Sequence, residues 1–123
     1  MNSDEIKTLE HQEHRNWLSQ LDFYQDQVLI FQKELTEVVR KHPQLWSIIE
    51  HVDEYRKILI KKLEHIDDFR YQILLHEKHL FETWDQENYL LDDHAKVREQ
   101  LEAFLKEFEE FKSNFRRFAA YND

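Results

Sequence analysis

Large apolar residues recur through the first third of the chain at Trp17, Leu21, Tyr24, Val28, Phe31, Leu35 and Val38, in alternating steps of four and three. Such steps return a side chain to one face of an α-helix, and a strand cannot produce them. Beyond a break at "RKHPQL" the same rhythm resumes: Leu45, Ile48, Val52, Tyr55, Leu59, Lys62, Ile66, Phe69, Ile73, His76 and Leu80. Only Lys62 and His76 interrupt that second seam. A third runs through Leu90, His94, Val97, Leu101, Phe104, Phe108, Phe111, Phe115 and Phe118, with five phenylalanines on one stripe. Each segment holds about 35 residues, which is roughly 50 Å of helix.

Pro43 suits a first helical position with His42 extended before it, so the first turn is expected there. The second boundary is expected within "FETWDQEN", with Thr83 (Gln86 three residues on) or Asp85 as N-cap. The heptad phase also continues unbroken from Leu45 to Phe118 if Thr83 and Glu87 are counted, so one helix of about 75 residues is the competing form. Folding back is preferred because two adjacent polar seam positions weaken a continuous coil. The expected architecture is all-α: an antiparallel up-down-up bundle of three coiled-coil-like helices at about 4–41, 43–82 and 85–120, in a single domain over 1–123.

Composition agrees with few, long elements. The 123 residues include no glycine and one proline, the two residue types that repeated turning demands. A formal net charge of −9 opposes binding to nucleic acid or to an anionic membrane. Cysteine is absent, which removes disulfides and thiolate zinc sites. No apolar run approaches a membrane span and no signal-peptide core is evident, so a cytoplasmic protein is expected.

Five of the eight histidines fall where the ends of the three segments meet: His11 and His14, His76 and His79, and His94. With turns near 42 and 83, His14 is expected level with residue 70, Glu10 with 74, and His94 with 72. Glu10 and His14 continue the first seam backwards from Trp17. Each helix thus points one histidine inward near one bundle end, and Glu10, His14, His76 and His94 form a candidate metal site. The same residues equally suit a hydrated polar layer, or a pH-sensitive one whose clustered imidazoles repel on protonation. No Glu-x-x-His occurs, and "HEKH" is one residue short of the zincin motif. His42, His51 and His65 are expected on flanks. With no cysteine, no phosphate-binding loop and no serine adjoining a histidine, an enzyme is not expected, and no cofactor is implied.

Some large apolar residues lie off the seams. Leu9, Phe23 and Ile30 share one heptad position in the first segment; Trp46, Ile60, Leu74 and Phe81 share one in the second. Flanking residues such as Leu18, Val39, Ile49 and Leu63 are explained by contact with two neighbouring helices. The two stripes lie more than about 100° from the seam centre, which instead predicts a further packing surface. The expected function is a non-enzymatic interaction or scaffold module that self-associates, most simply as a dimer, and that could also take a protein partner. A metal- or pH-responsive binding module is the alternative.

The length, the "WL" pair of the first segment and the "KHPQL" opening the second resemble a single spectrin-type three-helix repeat. That resemblance implies the fold alone, since the sequence holds one such unit and no tandem copy. The stretch "HRNWLSQLDFYQDQVLIFQKEL" is similar to a small group of uncharacterised helical proteins of Bacteroidetes-type bacteria. That similarity implies a bacterial source and no particular activity.

Overall fold

A heptad seam buries nothing until it meets another, and three seams in one chain meet by folding back twice. In the computed structural model this gives α1 (Ser3–Lys41), α2 (Trp46–Glu82) and α3 (Glu87–Tyr121), with α1 packed against both others in an all-α three-helix bundle. The structure describes the backbone of residues 3–82 and 87–122 and the side chains of residues 4–80 and 94–122. The proposed caps Thr83, Asp85 and Gln86 lie outside the described residues. The competing single long helix is excluded, because α2 and α3 lie side by side. Asp4 and Glu5 in the first turn of α1, and Arg40 and Lys41 in its last, complement the helix dipole.

The first turn differs from expectation. Helix α2 begins at Trp46 rather than at Pro43, and His42 to Leu45 form a tight turn in which the Leu45 amide donates to the His42 carbonyl at 3.3 Å. Proline's fixed φ serves the second position of such a turn as well as it serves a first helical position. The Leu45 carbonyl then accepts from Ile48 and Ile49, both at 3.1 Å, and opens the helix. Leu45 is consequently half exposed rather than buried, and the α2 seam starts at Ile48. His42, expected on a flank, closes this end: its Nε2 donates to the Asn122 carbonyl at 2.8 Å, while the Asn122 side chain donates to the Phe118 carbonyl at 2.9 Å.

The two seam positions of a heptad carry different chemistry here. In α1 and α2 one position is aliphatic (Leu21, Val28, Leu35; Val52, Leu59, Ile66, Ile73), and all seven are buried. The other is largely aromatic, and its rings meet the α3 phenylalanines: Phe31 on Phe115 at 4.5 Å, Tyr24 on Phe108 at 4.6 Å, Tyr55 on Phe118 at 4.8 Å and Phe69 on Phe104 at 5.4 Å. Aliphatic residues let α1 and α2 approach closely, and the larger rings fill the wider gap to α3. Lys62, the polar seam residue of α2, stays inside this stripe. Its Nζ lies 5.7, 5.2 and 4.9 Å from the ring centres of Phe104, Phe108 and Phe111, a cation held against three π faces.

Candidate functional site

The seam of α1 turns polar before Trp17, that of α2 carries His76 near its end, and that of α3 carries His94 near its start. Antiparallel packing brings these three stretches to one end of the bundle. The register differs from expectation: His14 lies beside His76 and Glu77 rather than residue 70, a displacement of about one heptad. An ion pair of 2.6 Å between Arg70 and Asp22 shows the same offset farther along. The turn contributes part of this, since leaving His42 to Leu45 outside the helices moves the centre of the pairing from residue 42 to between Pro43 and Gln44. Through this shift His14, His76 and His94 share one level.

His14 and His94 are buried, at 1% and 3% exposure, and His76 is half-buried. His14 Nε2 faces His94 Nδ1 at 3.2 Å, and one ligand atom from each of the three imidazoles lies within 4.8 Å of the others. Trp17 stacks on His94 with ring centres 4.7 Å apart, closing the layer towards the apolar core. The outer ring nitrogens reach carboxylates. His14 Nδ1 pairs with one oxygen of Glu77 and His11 Nδ1 with the other, while His94 Nε2 pairs with Glu13. Arg98 forks onto both oxygens of Glu13, at 2.6 and 3.2 Å.

Proton accounting limits what this network can be. An ionised carboxylate only accepts, so His14 Nδ1 and His94 Nε2 both donate. The two inner nitrogens then face one another with room for at most one proton between them. Without that proton, two lone pairs point at a common position. Burial pushes the His94 imidazole below its ordinary value, opposed by its hydrogen bond to Glu13. Burial also works to raise Glu13, but hydrogen bonds from Arg98 and His94 outweigh it and hold the carboxyl below its usual range. Burial, then the charge of Glu13, push Glu10 up, and the charge of Arg98 only partly opposes them. Glu10 Oε1 is buried and has no hydrogen-bond partner among the described residues.

The structure therefore brings three of the four expected ligands together, with Glu10 buried one turn away on the same seam. Sequence reasoning missed Glu13, Glu77 and Arg98. They stand beside the seam positions, where charge is ordinary, and only the register shows that the two glutamates face histidines and that Arg98 holds Glu13. His51 and His65 are exposed flanks with edge contacts to Phe118 at 5.8 Å and Phe104 at 5.9 Å.

The outer apolar residues are exposed, but the two stripes border different grooves. Phe23, 50% exposed, lies under Lys112 of α3, with Nζ 5.9 Å from its ring centre. Ile30, 48% exposed, lines an α1–α3 groove of ≈ 510 Å³ with Lys33, Val38, Arg116, Ala119 and Ala120. The small side chains of Ala119 and Ala120 leave that groove open. On α2, Ile60 and Leu74 are just over half exposed and Trp46 more so, on the side that the Arg70–Asp22 pair turns towards α1. The side chain of Phe81 lies outside the described residues. Leu9 is also half exposed; Tyr71 and Tyr121, which the stripes did not include, are more exposed still. Compared with protein-family models, curated proteins and solved structures, the chain matches none, so its chemistry rests on its own residues.

Proposed function

We propose that the protein is a non-enzymatic interaction module of the cytoplasm that self-associates through its outer helix faces. The observation that carries this reading is the pair of apolar stripes, Phe23 and Ile30 on α1 and Trp46, Ile60 and Leu74 on α2, left open by a bundle whose core is already filled. Large apolar residues that return to one helix face, every seven residues on α1 and every fourteen on α2, follow the pattern by which helices recognise helices. Charge supports a second copy as the occupant. The α2 stripe reads Trp46, Asp53, Ile60, Asp67, Leu74, alternating apolar and acidic, whereas along the α1–α3 groove the cations Lys33, Lys41 and Arg116 outnumber the acids Glu34 and Glu37. An acidic stripe seated on that cation-rich groove, repeated across a two-fold axis, closes a dimer and buries both surfaces. A net charge of −9 turns the remaining surface away from nucleic acid. Among the described residues, no helix is long and apolar enough to cross a membrane.

Sedimentation velocity on the full chain at roughly micromolar concentration tests the reading. A dimer is expected, and the pair Phe23→Glu with Ile30→Glu is expected to give a monomer of unchanged helicity. A wild-type chain that stays monomeric at tenfold higher concentration would rule self-association out.

A further inference from the structure

The buried histidine layer has no part in a docking surface. The outer faces explain association; they do not explain why three imidazoles from three helices converge inside the bundle, each of two backed by its own carboxylate. A hydrated polar layer needs neither the convergence nor the backing.

We propose that His14, His76 and His94 bind one divalent first-row transition-metal ion of zinc's class. The spacing of the first two ligands suits it. Tetrahedral coordination at about 2.0–2.1 Å sets neighbouring nitrogens roughly 3.3–3.4 Å apart. His14 Nε2 and His94 Nδ1 already stand at 3.2 Å, with no atom of the chain needed between them. The third ligand, on α2, has its nitrogen within 4.8 Å of both, so a small ring rotation of the half-buried His76 completes a three-histidine face. The fourth position stays open for water or a carboxylate.

The surroundings are those of a metal centre. A ligating histidine ordinarily gives its other N–H to a carboxylate, which fixes the tautomer and raises the basicity of the ligating nitrogen. Here His14 gives Nδ1–H to Glu77 and His94 gives Nε2–H to Glu13, so the nitrogens left over are the two that face one another. Glu13 is itself held in place by the Arg98 fork. The Trp17 ring against His94 walls the position off from the core. A dication there would also offset the buried Glu10, whose Oε1 has no donor among the described residues. Donor chemistry narrows the ion. Three imidazoles suit zinc, copper, nickel or iron, whereas calcium and magnesium require a shell of oxygens. Because the ligands come from α1, α2 and α3, one ion would tie all three helices together at this end.

The test uses the full chain freed of metal with a chelator. Calorimetric titration with Zn²⁺ is expected to show one ion per chain, and Co²⁺ to give the visible absorption of a tetrahedral nitrogen-ligated site. Zn²⁺ is expected to raise the melting midpoint where Mg²⁺ and Ca²⁺ do not. His94→Gln and His76→Gln are each expected to weaken zinc binding at least about 100-fold; His76→Gln changes a half-buried residue, so loss of binding there with intact circular dichroism is not loss of fold. Glu77→Gln and Glu13→Gln keep all three ligands and are expected to weaken binding roughly 10- to 100-fold, the usual effect of removing a carboxylate behind a ligand. The pair Phe23→Glu with Ile30→Glu is expected to bind zinc as wild type, which separates this site from self-association. Absence of stoichiometric binding by the wild-type chain, or undiminished binding in both His76→Gln and His94→Gln, would overturn the proposal.

Discussion

Single residues in this chain are informative where a polar group sits on an apolar seam. Lys62 is one. Burial lowers its pKa, and Glu107 only partly opposes this, so the ammonium is held by ring faces rather than by water. Methionine keeps the long stem and loses the charge; Lys62→Met is therefore expected to change stability in urea by no more than about 1 kcal/mol. Lys62→Glu sets an anion against the same negative π faces and is expected to cost more than about 1 kcal/mol. Tyr24 is another. Burial, then the hydrogen bond of 2.6 Å to Glu109, push its hydroxyl up to about 12 from an ordinary 10. A folded-state pKa above the unfolded one means that the folded chain holds its proton longer. The stability this contributes is fully present below pH 10 and is lost as pH rises towards 12. Tyr24→Phe is expected to flatten the fall in melting temperature across that interval and to lower the melting temperature at neutral pH, where the hydrogen bond to Glu109 is lost. If the alkaline fall is equally steep in the variant, Tyr24 is not its source.

At the scale of elements, the seams were plain in the sequence and the register between them was not. Steps of four and three located every buried aliphatic of α1 and α2, because a helix that must bury one face has no other way to arrange its apolar residues. Phe31, Phe108 and Phe115 were legible for the same reason, and all three are fully or almost fully buried. Truncating Phe108 to alanine is expected to cost roughly 3–5 kcal/mol in chemical denaturation, since no neighbour can collapse into so large a space. Register depends instead on a few turn residues. Pro43 fits both a turn and a helix start, and the choice between them contributes to the shift of α2 along α1. Glu13 and Glu77 became visible as partners of the histidines, and Arg98 as the partner of Glu13, only through that shift, since flank positions of a coiled coil are charged as a rule. Within the turn, Pro43→Ala frees the unfolded chain without removing a native hydrogen bond. It is expected to lower stability by about 0.4–1 kcal/mol and leave the helical content unchanged.

For the molecule as a whole, the arrangement of charge matters more than its sum. A net charge of −9 by itself makes copies repel, yet cations outnumber acids along one groove: Lys33, Lys41 and Arg116 against Glu34 and Glu37, beside the apolar floor of Ile30, Val38 and Ala119. Asp53 and Asp67 lie between the exposed apolar residues of the α2 stripe. If stripe meets groove, reversing one side alone must disrupt association. Lys33→Glu with Arg116→Glu opposes acidic groove to acidic stripe, and Asp53→Lys with Asp67→Lys opposes basic to basic. Each variant alone is expected to sediment as a monomer at low salt and to regain some association as salt screens the repulsion. Mixed in equal amounts, the two variants face each other with complementary charge at both contacts. The first offers an acidic groove to a basic stripe, and the second offers a basic groove to an acidic stripe. The mixture is therefore expected to form heterodimers from two monomeric components, visible as one faster boundary in sedimentation velocity. A dimer built from like faces, groove on groove or stripe on stripe, predicts a different mixture. There, groove reversal would still pair with an unreversed groove, and stripe reversal with an unreversed stripe. The variant reversed on the shared face would then associate with the wild type as well as with the other variant, and the other variant alone would dimerise as the wild type does. Comparing those three mixtures distinguishes the two geometries without any change to the buried core.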